Sequence, residues 1–89
     1  MLVHRITIRN KLGLHARAAV KFVNLSNRFM ASVKIVKDGN EIDGKSILGI
    51  LTLAATQGSE ITLLVAGKDE EAALKALSDL INNRFDEKE

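Results

Sequence analysis

The sequence predicts one two-layer α/β domain of the α+β class: a four-stranded antiparallel sheet with three helices on one face, in the order β-α-β-β-α-β-α. Three observations carry that expectation. Four short runs alternate apolar with polar residues or are rich in β-branched ones, three further runs space their apolar residues as a helix does, and glycine-bearing turns separate them.

Leu2, His4, Ile6 and Ile8 alternate with Val3, Arg5, Thr7 and Arg9, the period of a half-buried strand. Lys11 to Leu14 form a glycine-containing loop, and Ala16 to about Asn27 an alanine-rich helix. Ala19, Phe22, Val23 and Ser26 make its inward stripe, while Arg17, Lys21, Asn24 and Arg28 recur on the opposite face as a basic one. Ser32 to Lys37 and Glu41 to Asp43 read as a hairpin joined by the tight-turn signal Asp38-Gly39-Asn40. Ser46 is a favoured N-cap for a short helix over Ile47 to about Ala54. Its apolar residues cannot all face inward: if Ile50 and Leu53 are core, some of Ile47, Leu48 and Leu51 must be exposed. Ile61 to Ala66 is the last strand. Asp69 is a second N-cap candidate, before a helix whose apolar face comprises Ala73, Leu74, Leu77, Leu80 and Ile81. The domain is drawn over residues 1–85, and Asp86, Glu87, Lys88 and Glu89 are expected to be a solvated, fraying tail.

Composition narrows the function. A chain of 89 residues with 46% hydrophobic residues folds as a small globular domain and leaves little room for a deep substrate cavity. The absence of cysteine removes disulfides and thiolate metal sites and fits a reducing, cytoplasmic setting. The Ile47 to Gly67 stretch is interrupted by Thr56, Gln57, Gly58, Ser59 and Glu60, so it is not a membrane span. A net charge of +2 is too small to argue for nucleic acid by itself.

The chemistry concentrates at His15. It stands between the glycine loop and the first helix, where several backbone N–H groups lack an intrahelical partner and an anion is welcome. Imidazole is a nucleophile, and Arg17 adds a charge that can hydrogen-bond phosphoryl oxygens. An isolated His-x-Arg is more often a loop histidine beside a solvated arginine. Here the run Asn10-Lys11-Leu12-Gly13-Leu14-His15-Ala16-Arg17 closely resembles the active-site signature of the HPr family of histidine-containing phosphocarriers. Lys45-Ser46-Ile47-Leu48-Gly49-Ile50-Leu51 resembles the second signature of that family, at the matching distance.

The resemblance implies an open-faced β-sandwich and a phosphoryl group carried on Nδ1 of His15. Enzyme I would supply it from phosphoenolpyruvate, and IIA domains of sugar permeases would receive it. It further implies Arg17 as the active-site arginine, the backbone of Ala16, Arg17 and Ala18 as the phosphoryl cradle, and Ser46 as a regulatory site for an HPr kinase/phosphorylase. Lys21, Asn24, Arg28, Ile47, Leu48 and Leu51 would form a docking patch for partners that are acidic and apolar. One departure stands out: Ala18 occupies the place where the family usually has proline, removing a rigid first-turn residue and adding one N–H donor. Such a carrier is a monomer and a non-enzyme, and needs no cofactor and no metal.

Three alternatives are weighed against this one. A nitrogen-branch phosphocarrier would share the signature but serve regulation, and the Ser46-Ile47-Leu48-Gly49 run leans away from it. An RNA-binding two-layer domain would want aromatic residues on its strands, whereas this chain has three phenylalanines, no tyrosine and no tryptophan. A hydrolase is disfavoured because His15 has no second base or metal set to activate water, and His4 has no partner ligand near it in sequence.

Overall fold

The computed structural model describes residues 1–88 and arranges them in the expected order: β1 Leu2–Thr7, α1 Ala16–Ser26, β2 Ser32–Lys37, β3 Asn40–Asp43, α2 Ile47–Thr52, β4 Glu60–Ala66 and α3 Glu70–Asn82. The strands form one antiparallel sheet in the order β1-β4-β2-β3. β4 is central: Leu63 is opposite His4 on one side and Ile35 on the other. Side chains alternate across the sheet, so Ile61, Leu63 and Val65 of β4, Val33 and Ile35 of β2 and Ile6 of β1 share the buried face. The other face is open and carries Arg5, Lys34 and Val3.

The inward stripes of the helices complete the core. α1 contributes Ala18, Ala19, Phe22 and Val23, and α3 contributes Ala73, Leu77 and Ile81. Each large side chain fully removed from water contributes about 1.5–3 kcal/mol. α2 buries Ile50, with Leu53 just beyond it, and leaves Leu48 76% exposed and Ile47 and Leu51 each 37% exposed, the division its crowded apolar sequence required.

Several boundaries differ from the sequence-based expectation. β3 begins at Asn40, because Asp38 and Gly39 both take positive φ and complete the two-residue turn by themselves. Ser46 does cap α2, its Oγ accepting from the Gly49 N–H at 3.0 Å, but the helix stops at Thr52 because Ala54 turns left-handed. Asp69 precedes α3 without capping it. Its carboxylate instead accepts the N–H groups of Met30 at 2.9 Å and Ala31 at 2.8 Å, which tie down the α1–β2 connection. The Met30 bond is the main reason its pKa falls below the ordinary aspartate value.

The C-terminal segment departs most. Instead of fraying, Arg84, Phe85 and Asp86 form one tight turn in which all three residues have φ between 54° and 62°. The boundary drawn after residue 85 falls inside this turn. Phe85 is fully buried, and its carbonyl accepts Lys21 Nζ at 2.6 Å. Of the expected tail, Asp86 and Lys88 are exposed, Glu87 is drawn inward, and Glu89 lies outside the described residues.

The loop leading into α1 is tied down by buried hydrogen bonds. Asn10 is fully buried; its Nδ2 donates to the Gly13 carbonyl at 2.8 Å, and its own carbonyl accepts the Gly13 N–H at 3.1 Å. Leu14 donates to the Ala55 carbonyl at 2.9 Å. Gly13 has φ +66°, and a Cβ there would lie 2.4 Å from the Ala55 oxygen. Gly13→Ala should therefore destabilise the fold by on the order of 1–3 kcal/mol through backbone strain and that clash. Gly58→Ala is the control, since Gly58 also has positive φ but a Cβ there meets nothing within 4 Å. Thermal denaturation checks this: the melting temperature should fall clearly further for Gly13→Ala, by roughly 4–8 °C per kcal/mol in a domain of this size.

Candidate functional site

The loop that packs on Ala55 delivers His15 to the head of α1. His15 is the N-cap in extended conformation, with φ −78° and ψ 178°, and the first intrahelical bond runs from the Ala19 N–H to its carbonyl at 2.9 Å. The N–H groups of Ala16, Arg17 and Ala18 precede that bond and have no intrahelical acceptor. The His15 side chain makes no capping bond, so its ring is left for other partners, and it is 25% exposed.

The ring has a partner that nothing in the sequence pattern announces. Nε2 of His15 lies 2.5 Å from Oε2 of Glu87, and the other carboxylate oxygen of Glu87 accepts Asn10 Nδ2 at 2.9 Å. Asn10 thus bridges the loop carbonyl of Gly13 and the carboxylate beside His15. Partial burial of Glu87 pushes its pKa up, but the hydrogen bonds from Asn10 and His15, with the charge of Lys21, outweigh it, and the carboxyl sits below the ordinary glutamate range.

Beside this contact is an open cleft of about 440 Å³ lined by Lys11, Leu12, Arg17, Lys21, Asp86, Glu87 and Lys88. Arg17 is exposed, and among the described residues its guanidinium has no hydrogen-bonding or ionic partner, leaving its donors available to an anion. Lys21 shares this rim, but its ammonium is held by the Phe85 carbonyl rather than extended into solvent with the rest of the stripe. Asn24 is exposed farther along α1 and Arg28 two residues past its end, beside Leu25, Leu80 and Asp86. Ser46 is half-buried at the head of α2. Ile47, Leu48 and Leu51 form an exposed apolar patch on that helix, which packs against α1.

The structure thus brings His15 and Arg17 together at the head of α1 and leaves Asn24, Arg28 and Leu48 exposed, and it adds contacts of Asn10 and Glu87 that the sequence reading did not anticipate. Asn10 opens the first signature, where its burial and double hydrogen bond have no periodic trace. Glu87 is 72 residues from His15 and stands in a charged run without pattern. Among the described residues no group of three or more acidic or histidine side chains could hold a metal ion, and no helix is long and apolar enough to cross a membrane.

Comparison with known proteins points the same way. A family model described as the PTS HPr component phosphorylation site matches residues 3–83. The phosphocarrier protein HPr of Pseudomonas aeruginosa is 51% identical, with 94% of each chain covered. The solved structure of an HPr from Thermoanaerobacter tengcongensis is 43% identical and superposes with a TM-score of 0.96 over the whole of both chains. A dimer of HPr from the same organism is 45% identical, with a TM-score of 0.79 over 92% of this chain and 94% of that one.

The lowered pKa of Glu87 sets a pH dependence. Because the folded state favours the ionised carboxylate, the unfolded chain binds more protons in acid, and the contribution of the contact rises with pH. It should be complete above the ordinary glutamate value of 4.5 and disappear as pH falls through the lower folded value. Glu87→Gln should accordingly melt below the wild type near about pH 7, and the gap should close in acid. Paired thermal melts across that range measure it.

Proposed function

The chain belongs to the HPr phosphocarrier family, and from that premise we propose that it carries a phosphoryl group on Nδ1 of His15, taken from enzyme I with phosphoenolpyruvate as the original donor and delivered to IIA domains of sugar permeases. HPr proteins are carriers of the phosphotransferase system rather than enzymes. The observation that carries the proposal is the placement of His15: a half-buried imidazole at the start of a helix, with N–H groups just beyond it that have no intrahelical acceptor and the exposed guanidinium of Arg17 two residues on. A phosphoryl group on this ring meets the positive end of the helix and can accept from the backbone of Ala16, Arg17 and Ala18. Ala18 supplies an N–H that the usual proline lacks.

Exposed Leu48, flanked by Ile47 and Leu51, offers an apolar centre, and Lys21, Asn24 and Arg28 a polar, basic margin, for transient partners with acidic surfaces. Carriage between partners suits a monomer working in the cytoplasm, and light scattering at micromolar concentration would distinguish this from a dimer such as that solved for the relative.

Ser46 is proposed as a regulatory site for an HPr kinase/phosphorylase. Phosphate there would add about −1.5 to −2 charges beside the apolar patch that partners must cover.

The direct test is labelling from phosphoenolpyruvate and enzyme I. Wild type should take up an acid-labile, base-stable phosphoramidate, and His15→Ala should stay folded and take up none; labelling of that variant at the wild-type rate would overturn the proposal. Ser46→Asp should slow transfer through weaker enzyme I binding, read as slower uptake at low enzyme I that recovers at high concentration. An aspartate can still cap α2, so its melting temperature should stay equal or rise slightly. Unchanged transfer would remove the regulatory role.

A further inference from the structure

We propose that Glu87 is a positioning residue for phosphoryl transfer, holding the His15 ring in the tautomer and orientation that present Nδ1 as the nucleophile; this rests on the phosphocarrier reading of His15 and deepens it. An ionised carboxylate can only accept a hydrogen bond, so the contact at 2.5 Å requires the hydrogen to be on Nε2 of His15. A neutral imidazole has one N–H. Once that is at Nε2, Nδ1 carries the free lone pair. The depressed pKa of Glu87 keeps the carboxylate ionised at neutral pH.

The surroundings are arranged to hold this acceptor in place. Asn10 donates to the second carboxylate oxygen and is itself fixed by the Gly13 carbonyl, so the carboxylate is gripped from the same loop that presents His15. From the other side the chain reaches Glu87 through three consecutive non-glycine residues of positive φ, Arg84, Phe85 and Asp86, a conformation costing about 1–2 kcal/mol per residue. Burial of Phe85 and its bond from Lys21 hold that strained turn closed. Without the turn the carboxylate would not face the ring. The other charged groups along the adjoining cleft are Lys11, Arg17, Lys21, Asp86 and Lys88, so cations outnumber acids and favour the ionised form.

The transfer step balances without any further reactant. The Nδ1 lone pair forms the N–P bond, the bond between phosphorus and the donor atom breaks, and its electron pair returns to the donor. The Nε2 proton stays in place, so the ring gains a positive charge that the Glu87 carboxylate neutralises. In the onward step the same charged ring is a better leaving group, and the N–P electrons return to Nδ1. One carboxylate thus serves both directions, as an orienting acid does behind a catalytic histidine.

The test combines a spectroscopic and a kinetic reading. Nitrogen-15 NMR of the wild-type ring should show a hydrogen on Nε2 and a bare Nδ1 at neutral pH, and Glu87→Ala should show a mixture of tautomers. With phosphoenolpyruvate and enzyme I, Glu87→Ala should take up label about tenfold more slowly, comparable to the loss when the carboxylate that orients a metal-binding histidine is removed. Glu87→Gln keeps an acceptor but no charge and should fall between the two. A wild-type ring with its hydrogen on Nδ1, or Glu87→Ala labelling at the wild-type rate, would overturn the role of Glu87. A wild type that takes no label at all would instead overturn the phosphocarrier reading, and the tautomer measurement, which needs no partner, would still decide whether Glu87 fixes the ring. If Glu87→Ala does not fold, the wild-type spectrum and the Glu87→Gln rate decide it.

Discussion

The core rests on β4, an interior strand paired with β1 on one side and β2 on the other, whose inward residues Ile61, Leu63 and Val65 are covered completely. A sheet that buries one face must find helices to cover it, and α1 and α3 do so with stripes of small and large apolar residues. Everything functional is attached to that arrangement at one end. The loop before α1 closes onto Ala55, in the connection that leads into β4, through the Leu14 bond and the close approach of Gly13. Movement of the sheet against α1 would carry His15 with it, so the core fixes the site as well as the fold.

The site joins features that oppose one another electrostatically. A helix N-terminus, Arg17 and Lys21 favour an anion beside His15, while Glu87 places a carboxylate against the same histidine. The opposition is resolved by geometry. Glu87 addresses one ring nitrogen and leaves the second for the proposed phosphoryl group. A carboxylate on the far nitrogen stabilises a ring that has become positive, whereas one on the near side would repel the incoming group.

The proposed docking face reflects a division of labour within a small molecule. α2 is six residues long and buries Ile50 and little else, so most of its apolar surface is unused by the core. Exposed leucine and isoleucine beside exposed cations suit brief encounters, in which charge speeds approach and a modest apolar area limits residence. A carrier needs that balance, because it must leave each partner after transfer.

Much of this was legible in the sequence. Alternation and helical spacing are local properties with fixed periods, so they specified the elements, the order, the inward stripes and the shared exposure of Ile47, Leu48 and Leu51. The two signature runs identified the family because both are contiguous. Tertiary structure alone decided what depends on distance along the chain. Asp69 matched a helix cap by position but found better donors in Met30 and Ala31, which the sheet brings beside it. The end of α2 turned on the left-handed backbone of Ala54, which no residue type announces. The charged C-terminal run read as solvated because its composition is polar, yet one buried phenylalanine returned it to the site. Glu87 meets His15 across 72 residues, and a pairing set by that much intervening chain leaves no periodic signal in the sequence.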